Sequence, residues 1–376
     1  MPRRVRVVAV AGAIAATVWA GAPASAFSLE PGKTLAEHFN GSKWVKVTSP
    51  SPSGGDALFD VDLLSASDGW AVGVHGKEQK SHPLIERWDG SKWTVAAGPK
   101  ISGGSELFGV VDIASDLAFA VGVQGIGQPL IEQWDGSKWS LVSAPSVNGG
   151  QLRAVAAISS TDAWAVGAIN ATTTLTEHFD GGQWSVVSSP SPKGSRLAGI
   201  AALGTSDVWA VGSSGAGSGK LPKTLTEHWD GAKWSVAASP NPSGNGGLTG
   251  VAARGTDVFA AGTYLNSAGC ERTLILHRVN GSWKQAKTPD PFRCDNELLG
   301  IAGSAKSAVA VGDRPENCPG SKCKNVTMVL RLQSGTWKLQ ASPSTTMRFN
   351  ELRGAAVVPG SGESWAVGIA TSSFVP

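Results

Sequence analysis

Helical periodicity, charge and tyrosine are all scarce in this chain of 376 residues. Charged residues make up 16% of it, and a single tyrosine, Tyr264, is present. No stretch repeats its apolar residues at helical spacing, so long amphipathic helices are excluded. The net charge of +3 is accounted for by Arg3, Arg4 and Arg6 at the start of the chain. The remaining residues are near neutral in sum and offer no electrostatic footprint for nucleic acid. No Gly-x-Ser-x-Gly elbow, no His-Glu-x-x-His helix and no EF-hand loop is present. Cysteine is limited to Cys270, Cys294, Cys318 and Cys323. They form no Cys-x-x-Cys pair, and no histidine lies between Cys294 and Cys323, which argues against zinc. No metal or other cofactor is expected.

Long apolar runs are equally rare. The longest, residues 7–21, comes after the three arginines and precedes Ala24-Ser25-Ala26. This arrangement predicts a signal peptide over 1–26, exported by the general or the twin-arginine route. The run is short and rich in small residues, so a membrane anchor is not expected. The chain from 27 to 376 is therefore expected to be secreted, monomeric and not inserted in a membrane. An even cysteine count in an exported chain favours two disulfides.

Glycine and tryptophan are plentiful instead, with 48 and 15 copies, and the tryptophans are periodic. Trp44, Trp93, Trp139, Trp184, Trp234, Trp283 and Trp337 recur 45 to 54 residues apart. A second marker is an aromatic or apolar residue followed by Ala-Val-Gly. It recurs with the same period at Trp70, Phe119, Trp164, Trp209, Phe259, Val309 and Trp365, with Ala261 replacing valine once. Repeats of this length with strand-like pieces are the signature of a β-propeller.

One unit shows four such pieces: Leu197–Leu203, Val208–Gly212, Thr224–Trp229 and Lys233–Ala237. Asp230-Gly231 between the last two predicts a tight hairpin, because that turn needs positive φ. Asn40-Gly41, Asp89-Gly90, Asp135-Gly136, Asp180-Gly181 and Asn280-Gly281 repeat the signal, and Ser334-Gly335 weakens it. The first pieces are rich in glycine and alanine, as the crowded axis of a propeller requires. The chain begins on third and fourth strands, Thr34–Phe39 and Lys43–Val47, and ends on first and second strands, Leu352–Val358 and Trp365–Ile369. The expected fold is all-β: a seven-bladed propeller of four-stranded antiparallel blades, with one blade closed from both termini.

That count decides what "TLTEHWDGAKWSV" (224–236) is. His38, His178, His228 and His277 lie on different blades and cannot converge on a metal. Glu37, Glu86, Glu132, Glu177 and Glu227 are dispersed in the same way. They are expected to pair across a hairpin or a blade boundary, since catalysis needs groups within hydrogen-bond reach.

The units "LTEHWDGAKWSVAASP" and "LTGVAARGTDVFAAG" resemble a repeat found in secreted propeller-like proteins of high-GC bacteria. The Trp-Ala-Val-Gly and Asp-Gly-x-x-Trp motifs also resemble the repeats of photosystem II assembly factors and the wider sialidase-like propellers. Here Asp and Gly are adjacent, whereas the Asp-box of those propellers separates them by one residue. The segment "EHWDGAKW" is similar to repeats of seven-bladed lectins, which would imply sugar sites between blades. A sialidase would need a tyrosine nucleophile with an arginine triad, and a copper oxidase of this fold two tyrosines. The single Tyr264 excludes the second.

Function is expected on the face that carries the second-to-third and fourth-to-first loops, where lengths vary. All four cysteines map there, which predicts Cys270–Cys294 and Cys318–Cys323. The channel mouth on that face is set by Phe59, Glu106, Phe108, Arg153, Arg196, Glu297, Glu351 and Arg353. These differ from blade to blade while their neighbours repeat, so they are the candidate ligand-binding residues; no catalytic residue is assigned. The expected function is a binding or scaffold module with a protein or glycan partner at the cell surface. The alternatives are a lectin with sites between blades and a polysaccharide hydrolase or lyase acting at the mouth.

Overall fold

Each period of the repeat folds into one sheet of four antiparallel strands, and seven such sheets form a closed ring. The computed structural model describes residues 32–76, 81–216, 221–254, 256–304, 307–316 and 323–372. The expected signal peptide, 1–26, and Cys318 lie outside the described residues. Blade 1 consists of Ala57–Ser65, Asp68–His75, His82–Trp88 and Trp93–Val95, and the later blades succeed it in chain order. Blade 4 runs over Arg196–Gly204, Asp207–Ser214, Lys223–Trp229 and Trp234–Ala237, within one to two residues of expectation. Blade 7 combines Gly32–Phe39 and Trp44–Val47 with Phe349–Val357 and Ser364–Thr371. Its seam is the pairing of Gly32–Phe39 with Thr371–Ser364, all eight residues in register. Among the described residues no helix is long and apolar enough to cross a membrane.

The first strands line the axis and the fourth strands form the outer rim, so space widens outward. Large side chains fill the outer gap. The aromatic before Ala-Val-Gly in one blade meets the fourth-strand tryptophan of the next. These pairs are Trp365–Trp93, Trp70–Trp139, Phe119–Trp184, Trp164–Trp234, Trp209–Trp283 and Phe259–Trp337. Their ring planes cross at 82° to 88°, the edge-to-face arrangement that aromatic quadrupoles favour. At the seventh boundary Val309 packs beside Trp44 in one buried cluster. Trp88, Trp134 and Trp229 tie down the first turn of their blades by donating from the indole N–H to Ala66, Ser115 and Thr205 carbonyls.

Near the axis the constraint reverses. A Cβ on Gly199 would lie 2.8 Å from the Cα of Gly250 on the next first strand, and one on Gly354 would lie 2.6 Å from the Cα of Asp60. Only glycine allows first strands to approach that closely.

The hairpins differ from the expected tight turn. Asp89, Asp135, Asp180 and Asp230 open four-residue loops in which one carboxylate oxygen accepts two backbone N–H groups, two and three residues on. Asn40 does the same through its side-chain carbonyl. The true two-residue turns are Asn280-Gly281 and Ser334-Gly335, where both residues have positive φ. The spacing to the fourth-strand tryptophan separates the two: three residues from Asn280 and Ser334, four from Asn40 and the aspartates, whose side chains then satisfy the N–H groups of the wider loop.

Candidate functional site

The Glu-His-Trp-Asp-Gly segments are scaffold. Each histidine reaches its own blade's second strand: His178 to Asp162 at 2.8 Å, His228 to Asp207 at 2.9 Å and His277 to Asp257 at 3.0 Å. His38 reaches Glu363 at 3.1 Å. The rings of His38, His228 and His277 stack on Trp365, Trp209 and Phe259, and that of His178 packs tilted on Trp164. The glutamates lie deeper than a strand-face pair would: Glu37, Glu86, Glu132, Glu177 and Glu227 are completely buried. Two cross a blade boundary as expected, Glu86 accepting from Ser49 at 2.9 Å and Glu37 from Ser342 at 2.6 Å. Burial raises the pKa of Glu37 to about 7 and of Glu86, Glu132, Glu177 and Glu227 to about 8.

The axis holds a cavity of about 640 Å³, and all eight candidate mouth residues line it. Their placement is set by a leucine common to all seven blades. Leu58, Leu107, Leu152, Leu197, Leu248, Leu298 and Leu352 each sit buried near the start of a first strand. Residues on either side of a strand residue point the other way. The residue before each leucine is in turn Ala57, Glu106, Gln151, Arg196, Gly247, Glu297 and Glu351, of which all but Ala57 and Gly247 line the cavity. The residue after it forms a ring: Phe59, Phe108, Arg153, Ala198, Thr249, Leu299 and Arg353.

That ring is closed over blades 7, 1, 2 and 3. Arg353 lies over Phe59 at 5.1 Å, Phe59 packs on Phe108 at 5.5 Å, and Arg153 lies over Phe108 at 4.1 Å. Arg353 also pairs with Glu351. Glu106 sits among these groups, 9% exposed. Burial raises its pKa to about 7 against the pull of Arg153 and Arg353.

The sector over blades 4, 5 and 6 is open. Arg196 has no hydrogen-bond or ion-pair partner among the described residues, and burial alone lowers its pKa to about 10. Blade 5 lines the cavity with Thr249, Gly250, Val251, Ala252, Ala253 and Thr263, none of them charged. Beyond it, Glu297 is paired in register with Asp313, and both carboxyls are pushed well up by burial and by neighbouring carboxylates, Glu271 and Glu351 included. Asp313 accepts from Asn325 Nδ2 at 2.7 Å. The Cys270–Cys294 disulfide holds the flanks of Glu271 and Asp295 together beside this group. Cys323 is disulfide-bonded as well. No three described His, Cys, Asp or Glu side chains are disposed to hold a metal ion.

Asp313 and Thr263 were not among the expected residues. Both come directly after the Ala-Val-Gly marker or its variant, at a position occupied in turn by Val74, Val123, Ala168, Ser213, Thr263, Asp313 and Ile369. Variation there, beside neighbours that repeat, is the signal that finds them.

No protein-family model matches the chain, and no curated protein does. Among solved structures it is similar to YCF48 bound to D1 peptide, with a TM-score of 0.53 at 14% identity over 94% of this chain and 98% of that one. It is similar to YCF48 from Cyanidioschyzon merolae, with a TM-score of 0.54 at 13% identity over 88% and 99%. YjhT matches with a TM-score of 0.48 at 14% identity, over 77% and 99%. The Trp-Ala-Val-Gly and Asp-Gly-x-x-Trp repeats thus build the fold of the photosystem II assembly factor-type propellers that they resemble.

Proposed function

We propose that this chain is an exported binding propeller that holds one peptide ligand at the charged mouth of its channel. The observation that carries the reading is the contrast around each buried leucine. The leucine is the same in seven blades, while the cavity-facing residues beside it are different in almost every one. A mouth of that kind is one asymmetric site rather than seven equivalent ones. Blade boundaries filled by tryptophan and by buried glutamate or leucine leave sugar sites between blades without support. A cavity of about 640 Å³ lies in the range that holds a small ligand or a chain end. That YCF48 is described with a bound peptide is consistent with a peptide on a propeller of this shape.

The test is binding of the chain from residue 27 onward to peptide and glycan arrays, repeated with Arg153→Gln. Saturable peptide binding that weakens by about tenfold or more in the variant supports the reading, because a hydrogen bond to a charged group is worth about 1.5–3 kcal/mol. Binding that ignores every mouth substitution, or is confined to glycans, overturns it.

A further inference from the structure

The mouth is electrically lopsided. On blades 7 to 3 its charges are mutually compensated: Arg353 is paired with Glu351, both Arg353 and Arg153 cover aromatic faces, and Glu106 lies within reach of both arginines. On blades 4 to 6 they are not. Arg196 has no counter-charge among the described residues, while Glu297 has only other carboxyl groups, Asp313, Glu271 and Glu351, acting on it. The two stand on the blades that flank blade 5. Blade 5 puts no charge between them: its corresponding residue, Gly247, has no side chain, and its cavity wall is made by Thr249, Thr263 and small apolar residues.

A half-buried guanidinium without an acceptor and a buried carboxyl, Glu297, on which only other carboxyls act are each costly to leave as they are. A ligand that brings an anionic group to the first and a cationic group to the second relieves both costs at once. Resting on the reading of the mouth as the binding site, we propose that the blade 5 sector binds a compact zwitterion of the amino-acid type. Its carboxylate lies on Arg196, its ammonium on Glu297 with Asp313 behind, and its backbone along the blade 5 wall by Thr263. Free amino acids and short peptides with free termini share this chemistry. Asp313 is a positioning residue here: it stands in register behind Glu297 and is itself fixed by Asn325. Thr249 is spoken for by the Ala261 and Leu298 carbonyls, so selectivity rests on the charged pair.

Isothermal titration calorimetry on the chain from residue 27 onward tests this with the common amino acids and with di- and tripeptides. Each is used free, N-acetylated and C-amidated. Binding of the free compounds is expected, with each cap reducing affinity by about tenfold or more, the loss of one charge-assisted hydrogen bond. Arg196→Gln is expected to abolish the difference between free and amidated carboxyl ends while leaving the effect of acetylation. Glu297→Gln is expected to do the converse. The crossed pattern separates a contact from a general loss of folding, and thermal melts of both variants check the latter. Amino acids that bind where the peptides do not identify a metabolite-sized ligand, and the reverse identifies a peptide end; both sustain the zwitterion. Peptide binding that Arg153→Gln weakens but neither cap affects overturns the zwitterion and leaves the mouth as the site. Absence of binding by every free compound also overturns it. Binding that no mouth substitution changes overturns both readings.

Discussion

Glu132 and Glu177 are buried carboxyls with no hydrogen-bond partner on either oxygen, whereas Glu86 and Glu37 have one. The difference lies one blade back, at the residue before the proline that comes after each fourth strand. Ser49 and Ser342 stand there for Glu86 and Glu37; Gly98 and Ala144 stand there for Glu132 and Glu177, and Ser189, in that place for Glu227, donates to Thr174 instead. In blades 5 and 6 the glutamate itself is replaced by Leu276 and Leu330, both buried completely. The chain therefore contains its own control. Glu132→Leu is expected to stabilise by about 1 kcal/mol or more, because an unpartnered buried polar group gives way to a side chain the site already accepts in two blades. Gly98→Ser is expected to stabilise less, by supplying the absent donor. A Cβ there stands 3.6 Å from the Glu132 carboxylate and 3.4 Å from Ile85, ordinary contacts. The gain from serine should vanish when leucine replaces Glu132. Urea unfolding of the two single variants and the double variant measures this; a Glu132→Leu variant less stable than the parent would refute it.

Blade 7 is the element on which the ring depends. Its outer strands come from the start of the chain and its inner strands from the end, so Gly32–Phe39 is both a third strand and a clasp. Leu35, Phe39 and Trp44 from this segment are buried against Val309, Val329 and Leu352. Removing residues up to 48 would withdraw these side chains, each worth about 1.5–3 kcal/mol. It would also leave Ser364–Thr371 as an unpaired edge. Such a truncated chain is expected to aggregate or melt far below the parent by size-exclusion chromatography and circular dichroism. Comparable stability would mean the clasp is dispensable. Strand positions, blade count and this closure are legible in the sequence, because tryptophan and glycine recur where widening and crowding demand them. The depth of the glutamates is not. A polar residue alternating with apolar ones reads as solvent-facing, but third strands have a blade packed on both faces, so neither face is solvent. The Asp-Gly loops depart from the expected turn because only the glycine takes positive φ there, and the dipeptide stands one residue further from the fourth-strand tryptophan than in the two true turns. At the mouth, the first-strand residues are legible from blade-to-blade variation. Asp313 lies outside that first-strand pattern: its signal is the variation after Ala-Val-Gly on the second strands, and it joins the site through its register with Glu297.

Across the whole molecule the buried carboxyls act together on stability. Glu86, Glu132, Glu177 and Glu227 titrate near 8 in the folded protein, Glu37, Glu106 and Asp60 near 7, and Asp62 near 6, all raised by burial. In the unfolded chain these groups titrate at about 4. Between those limits the folded state holds more protons than the unfolded state, so unfolding releases protons and stability must fall as pH rises. The contribution is fully present below about pH 4, declines through the neutral range, and is lost above about pH 8. The turn aspartates, such as Asp135 with its pKa lowered to about 2, work in the opposite sense only at acid pH, below about 4, so they do not mask the trend. The melting temperature is expected to be higher at pH 5 than at pH 8.5, and the gap should narrow when Glu132 and Glu177 are both replaced by leucine. Scanning calorimetry across that range decides it. A melting temperature that is flat or rises toward alkaline pH would mean that the inter-blade carboxyls ionise as readily in the ring as in the open chain. An unchanged gap in the double variant would assign the pH dependence to the charged mouth instead.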